Sequence, residues 1–487
     1  MKHILSLALL AFASVAFAQM PVPATTAGAP PATTSNDLSG TAISACGKIT
    51  SPGNYYLTTN LTCPGTALMV SGPGIHLNLN GHTIVYGTAG GTMGTIYGIE
   101  NDACWDTDQK PVTIPCDNSG AGIGVEIFNG SIVQSQNAPA FSHALYFGQN
   151  ENTNQLINIH NLTITVQQTG SSGFFSTFQG GQILIEHNTI YDNVRSINRP
   201  GQSDQGARSQ FQGEAIHVDN SKQMVAPDQI AYNKIVGSPQ GGIRDTSTGA
   251  QVYQNDISMN ALYANDFCVD VPGANERVYS NNCHPINGRG IHINSEGSYA
   301  YYNLITVTEA PVNREYNGCE GGGAYAVQVE DDIQHAGNVV VYGNTGTVNT
   351  GQCGGAALRI TGWAAGSPAV VAHNSWIVNK TGGADQYGGM LYSFDASNLS
   401  TVIFGGPYGS DTLKTSDLGC VYFDWDGAQN VNISIPTCHA TYAVVANNGP
   451  TNYTTYRVVN SPQTNAFCTM NSYSLGTVDG ATIKCPK

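Results

Sequence analysis

The chain has 487 residues, of which 10% are charged, with 57 Gly, 24 Tyr and a formal net charge of −15. Gly and β-branched or turn-forming residues are poor helix formers, which argues against a helical protein and suits an all-β chain with many turns. The acidic balance argues against nucleic acid and anionic membranes as partners, and it weakens without excluding a polyanionic substrate.

In chain order, Met1-Lys2-His3, an apolar run from Ile4 and the small-residue end Ala16-Phe17-Ala18 read as a signal peptide over residues 1–18, cleaved before Gln19. An exported protein is therefore expected. No later stretch reaches the ~18 apolar residues a membrane helix needs, so no membrane insertion is expected. Residues 19–40, with Pro21, Pro23, Pro30 and Pro31 among Ala, Thr and Ser, read as a disordered leader. Cys46 to Leu57 and Leu61-Thr62-Cys63 read as a turn and short strands that cap an apolar coil. Twelve cysteines in an exported chain suggest disulfides. Sequential pairing keeps each loop short: Cys46 with Cys63, Cys104 with Cys116, Cys268 with Cys283, Cys319 with Cys353, Cys420 with Cys438, and Cys468 with Cys485.

From Gly74 an Asn turn followed by a short apolar strand recurs, at Asn80, Asn129, Asn161, Asn188, Asn233, Asn255, Asn303 and Asn374. Asn suits such a repeat because it tolerates left-handed backbone and its amide can bond neighbouring backbone groups. Strand-length apolar runs at intervals too short for helices are what a parallel β-helix predicts. The pattern resembles the right-handed parallel β-helix proteins of the pectate-lyase-like superfold, over roughly Gly74 to Val378. The expected fold is thus an all-β, right-handed parallel β-helix with an N-terminal cap, over residues 41–392. Residues 393–487 finish the coil or form a small β module.

Four strands in the middle of the chain each place one polar residue between apolar flanks: Ile216-His217-Val218, Ile243-Arg244-Asp245, Val269-Asp270-Val271 and Ile291-His292-Ile293. Side chains alternate along a strand, so His217, Arg244, Asp270 and His292 should share the outer face. Their spacings are 27, 26 and 22 residues (244−217, 270−244, 292−270), one circuit of a coil each. Gln328 and Arg359 continue the column, Asn294 flanks it, and Glu214, Asp266 and Arg289 stand on nearby loops. Asp245 falls where an inward residue belongs, which makes it the end of its strand or a buried, hydrogen-bonded carboxyl.

A lone His on a strand face is ordinarily surface; four such residues in one column suggest a site. Removing the proton α to a uronate carboxylate needs a cation to neutralise that carboxylate, a base, and a proton for the leaving oxygen. Arg244 fits the first role, and His217 or His292 the second. Hydrolysis needs two carboxyl groups astride the glycosidic bond, which Asp270 with Asp245 or Asp266 would supply. Asp245, Asn265-Asp266-Phe267-Cys268 and Gly288-Arg289-Gly290 also resemble, in order, the polygalacturonase-like glycoside hydrolases. In this chain the paired aspartates are not adjacent and Arg289 stands where that family has His, so the resemblance assigns no catalytic role. Glu330-Asp331-Asp332 is a compact acidic run that offers oxygen ligands to Ca²⁺.

The expected catalytic set is His217, Arg244, Asp270 and His292, with substrate contacts at Asp245, Asp266, Arg289, Asn294, Gln328 and Arg359. The expected partner is an extended polysaccharide, bound by a monomer. The leading expectation is a polysaccharide lyase or C5-epimerase-type enzyme on uronate chains. The alternatives are a polygalacturonase-like hydrolase and a non-catalytic carbohydrate-binding protein.

Overall fold

Short runs such as Ile-x-Val and Ile-x-Ile give the chain its architecture, because each can bury one face only if strands stack directly on one another. The computed structural model describes residues 39–92, 94–101, 124–148, 156–177, 181–193, 213–219, 226–239, 241–261, 266–294, 297–309, 323–330, 339–351, 355–361, 368–380, 388–394 and strands within 401–484. Side chains are described as far as residue 379, apart from those of 294, 330, 361, 368 and 369. The signal peptide and nearly all of the leader expected from the sequence lie outside the described residues.

The unit Gly40–Lys487 is all-β, with no helix among the described residues and none long and apolar enough to cross a membrane. Its strands form a 26-stranded and a 16-stranded sheet, every pairing parallel. The larger sheet holds two ladders, joined where the long strands Val125–Gln134 and Leu156–Val166 run through both. Through the middle of the chain it visits the small sheet and the two ladders in turn. Ile216–Val218 pairs with Ile243–Asp245, Gln229–Ala231 with Gln251–Tyr253, and Lys234–Ser238 with Asp256–Asn260. This order is consistent with a parallel β-helix. The strands from Gly388 to Lys484 continue the same pairings.

Inward positions of all three ladders fill one apolar core. Ile216, Ile243 and Ile291 come from the small sheet, Ile230 and Val252 from one ladder of the larger sheet, and Ile257 and Ile305 from the other; all are fully buried. Cys283 on that last ladder is tied to Cys268 on the small sheet, and Cys46 is tied to Cys63. The other eight cysteines lie outside the described side chains.

At the corner between the two joined ladders, buried Asn side chains form a continuous hydrogen-bonded stack: Asn188, Asn233, Asn255, Asn281, Asn303, Asn344 and Asn374. Asn255 is representative. Its Oδ1 accepts from the backbone N–H (2.9 Å) and Nδ2 (3.0 Å) of Asn233, while its Nδ2 donates to the Ile230 carbonyl at 2.9 Å.

The structure revises the reason for Asn in two ways. Asn80, Asn129 and Asn161 do adopt left-handed backbone, but from Asn188 onward the left-handed residue is the one before, such as His187, Tyr232, Gln254 and Tyr302. The Asn that follows serves the stack. Asn281 and Asn344 complete intervals that look irregular in the sequence, and the 45-residue interval from Asn188 to Asn233 is a single circuit.

Candidate functional site

On the small sheet the apolar flanks turn inward, so the residue between them faces out. The register pairs Phe175 with His217, His217 with Arg244, Arg244 with Asp270, Asp270 with His292, His292 with Gln328, and Gln328 with Arg359. His217, Arg244, Asp270 and His292 thus occupy consecutive rungs, about 4.8 Å apart.

A second outward line runs beside this column, one residue before each corner of the chain. Glu214 precedes Ala215, Gly241 precedes Gly242, Phe267 precedes Cys268, and Arg289 precedes Gly290. The corner residues are small because a Cβ on Gly242 would lie 2.4 Å from the Cys268 carbonyl oxygen, and one on Gly290 only 2.1 Å from that of Ala326. Gly241 leaves a gap in the second line, and a Cβ there would come within 2.8 Å of Glu214 Cγ. The gap opens into a cavity of about 320 Å³. Arg244, Asp270 and His292 line it from the column, and Glu214, Asp266, Phe267 and Pro272 from beside it.

Asp270 is the hub. Its Oδ1 accepts from His292 Nδ1 at 2.7 Å, and its Oδ2 pairs with Arg244 Nη1. Burial alone would push the Asp270 carboxyl up, but the hydrogen bond and charge of His292 and the charge of Arg244 together hold it below the usual carboxylate range. Burial works against the Arg244 charge, and the carboxylates of Asp270, Glu214 and Asp219 outweigh it, so the guanidinium is held charged even more firmly than usual. A carboxylate on Nδ1 fixes the His292 tautomer that carries its proton there and its lone pair on Nε2. Phe267 stacks on this ring, centroids 4.8 Å apart.

His217 makes the same kind of pair with Glu214, Nδ1 to Oε2 at 2.8 Å, but it is only 1% exposed and stacks against Phe175. It does not line the cavity and meets it only through Glu214. Stacking by Phe175 and the carboxylate of Glu214 cover the ring in this structure.

The remaining candidates divide by burial. Asp266 lines the cavity. Asp245 does not: it is in register with the core residue Val218, fully buried, and its Oδ1 accepts from the backbone N–H (2.9 Å) and hydroxyl (2.5 Å) of Ser247. It is an interior carboxyl. Arg289, 3% exposed, donates to Gln328 Oε1 at 2.8 Å and lies over the Phe267 and Tyr325 rings. These partners leave Arg289 and the buried Gln328 as supports of the groove rather than its lining. Arg359 also lies over Tyr325, at 5.1 Å from the centroid. The backbone of Asn294 pairs with Glu330, but neither side chain is described, and Asp331 and Asp332 lie outside the described residues. Among the described residues no cluster of His, Cys, Asp and Glu is arranged to hold a metal.

Glu214 and Gly241 are the cavity-lining positions that strand alternation hides. Aligning the small residues Ala215, Gly242, Cys268 and Gly290 would have exposed their line.

Asp245 gives the fold a pH signature. Burial pushes its carboxyl up to about 6, against the hydrogen bonds from Ser247 and the charge of His217. An unfolded Asp titrates near 4, so between about pH 4 and 6 the folded state holds a proton that the unfolded state has lost. Stability therefore falls as pH rises through this window, by about 3 kcal/mol, and stays lower above it. Asp270 acts with opposite sign: its contribution is present above about pH 4 and is lost as pH falls through its depressed folded value. Denaturant midpoints at pH 4.5 and 7.5 should show the Asp245 loss in the native protein and its absence in Asp245→Asn.

A scan against protein-family models, a search of curated proteins and a search of solved structures each found no match to this chain.

Proposed function

We propose that this protein is a secreted, right-handed parallel β-helix with an N-terminal cap, of the pectate-lyase-like kind, that removes the C5 proton from uronate residues of a polysaccharide. The reaction is β-elimination, as in a polysaccharide lyase, or reprotonation at C5, as in an epimerase. The observation that carries the reading is the Arg244–Asp270–His292 array lining one cavity. Two disulfides fit an oxidising, extracellular setting.

Arg244, 34% exposed, spends Nη1 on Asp270 and offers its remaining N–H donors to the substrate carboxylate. Neutralising that carboxylate makes the α-proton easier to remove. His292 takes the proton once substrate uncovers its Nε2, which is buried in this structure, and Asp270 stabilises the imidazolium that forms. In elimination the C4–O4 bond then breaks, the C4=C5 double bond forms, and the leaving oxygen takes a proton from solvent. Rungs repeating about every 4.8 Å suit a polysaccharide, whose sugars repeat on a similar scale.

Glycoside hydrolysis is a second reading, favoured by Glu214 and Asp266 on opposite sides of the Gly241 gap. Their strands are two rungs apart, roughly 9–10 Å along the stack, close to the separation of inverting hydrolases. Product analysis after incubation with a panel of uronate polymers tests the proposal. Unsaturated ends absorbing in the ultraviolet are expected from a lyase; reducing ends without that absorbance would give the second reading precedence.

A further inference from the structure

The charges around the cavity narrow the substrate further. Among the described residues that line it, Arg244 is the one permanent cation, against the carboxylates of Glu214, Asp266 and Asp270. Asp270 and Arg244 pair with each other. Arg289, the next cation along the sheet, is 3% exposed, bonded to Gln328 and not among the residues that line the cavity. Glu214 is built into place: His217 Nδ1 holds its Oε2 at 2.8 Å, and Gly241 leaves its carboxylate room beside the cavity.

In a homouronan every unit brings a carboxylate, and each one that turns toward the groove needs a counter-charge there. One sugar is about one rung long, so the unit next to a uronate seated on Arg244 meets Glu214 on one side and Asp266 on the other. A second uronate there would place like charges together in a partly desolvated site. A neutral sugar would instead donate its hydroxyls to those carboxylates, which are strong acceptors.

We propose that the substrate is a heteropolysaccharide in which each uronate is flanked by neutral sugars, with Glu214 as the residue that selects against a neighbouring uronate. This rests on the uronate reading above.

The test compares initial rates of the full-length protein on homouronans (polygalacturonate and polymannuronate) and on polymers alternating glucuronate with a neutral sugar, at low and moderate NaCl. The native protein should act at least about tenfold faster on an alternating polymer, and added NaCl should narrow the gap by screening the repulsion. Glu214→Gln, which keeps an acceptor for His217, should raise the homouronan rate about fivefold, the scale of one unscreened charge pair at contact in water. Equal or faster turnover of homouronans by the native protein overturns the inference, as does a homouronan rate unmoved by both Glu214→Gln and salt. Neither unsaturated ends nor epimerisation at C5 in any of these polymers would instead overturn the uronate reading on which it rests.

Discussion

Asp270→Asn should lower kcat/KM by about 10²–10⁴-fold, the range for losing a positioned general base, while the protein stays folded. The carboxylate does two things that an amide cannot do together. It accepts the Nδ1 proton of His292 at 2.7 Å, and it balances the charge of Arg244. An Asn amide can turn its NH₂ toward Nδ1, which moves the ring proton to Nε2 and removes the lone pair that the proposed base needs. Asn also leaves Arg244 without its nearest counter-charge. Arg244 remains partly exposed, so water compensates for much of that loss. Steady-state kinetics with circular dichroism as a folding control would check this; a fall of less than about tenfold would remove Asp270 from the chemistry.

The largest effect on stability is expected from Asn255→Ala, at about 3–5 kcal/mol, because burying an unsatisfied polar group costs ~1–3 kcal/mol and the change orphans more than one. The Asn233 backbone N–H and Nδ2 lose their acceptor, and the Ile230 carbonyl loses a donor, all inside the protein. Asn379→Ala provides the contrast. That side chain is exposed, its Nδ2 bonds Asn349 Oδ1 at 2.8 Å, and its removal should cost no more than about 0.5 kcal/mol. Denaturant unfolding of both variants against the native protein measures the difference. Equal effects would mean that the Asn stack does not bear the stability of this corner.

The column was legible because apolar residues on both sides of His217, Arg244, Asp270 and His292 anchor their strands. A one-residue slip would have turned each set of apolar residues out to solvent. Period-two alternation stops at the corners, where Ala215, Gly242, Cys268 and Gly290 bring backbones close together. Glu214 and Gly241 lie just before those corners, so alternation said nothing of the line they share with Phe267 and Arg289. The shielding of His217 was also hidden, since it depends on Phe175, a neighbour one circuit earlier in the chain. Asp245 shows the reverse case. Its inward position could be read from alternation, but its isolation from the cavity needed the observed register with Val218. In the Asn stack, Asn281 and Asn344 lack the Asn-x-Ile signature: Cys283 and Gly346 stand two residues on, where Asn188, Asn233, Asn255 and Asn303 have Ile190, Ile235, Ile257 and Ile305.

Proton abstraction at C5 is most directly tested by running the product analysis in D₂O with an alternating uronate polymer and following C5 by NMR. The proposal predicts loss of the C5 hydrogen, as unsaturated uronate ends or as deuterium at C5 of an epimerised residue, and its disappearance in His292→Ala. New reducing ends with the C5 hydrogen fully retained, or binding with no chemical change, would contradict it.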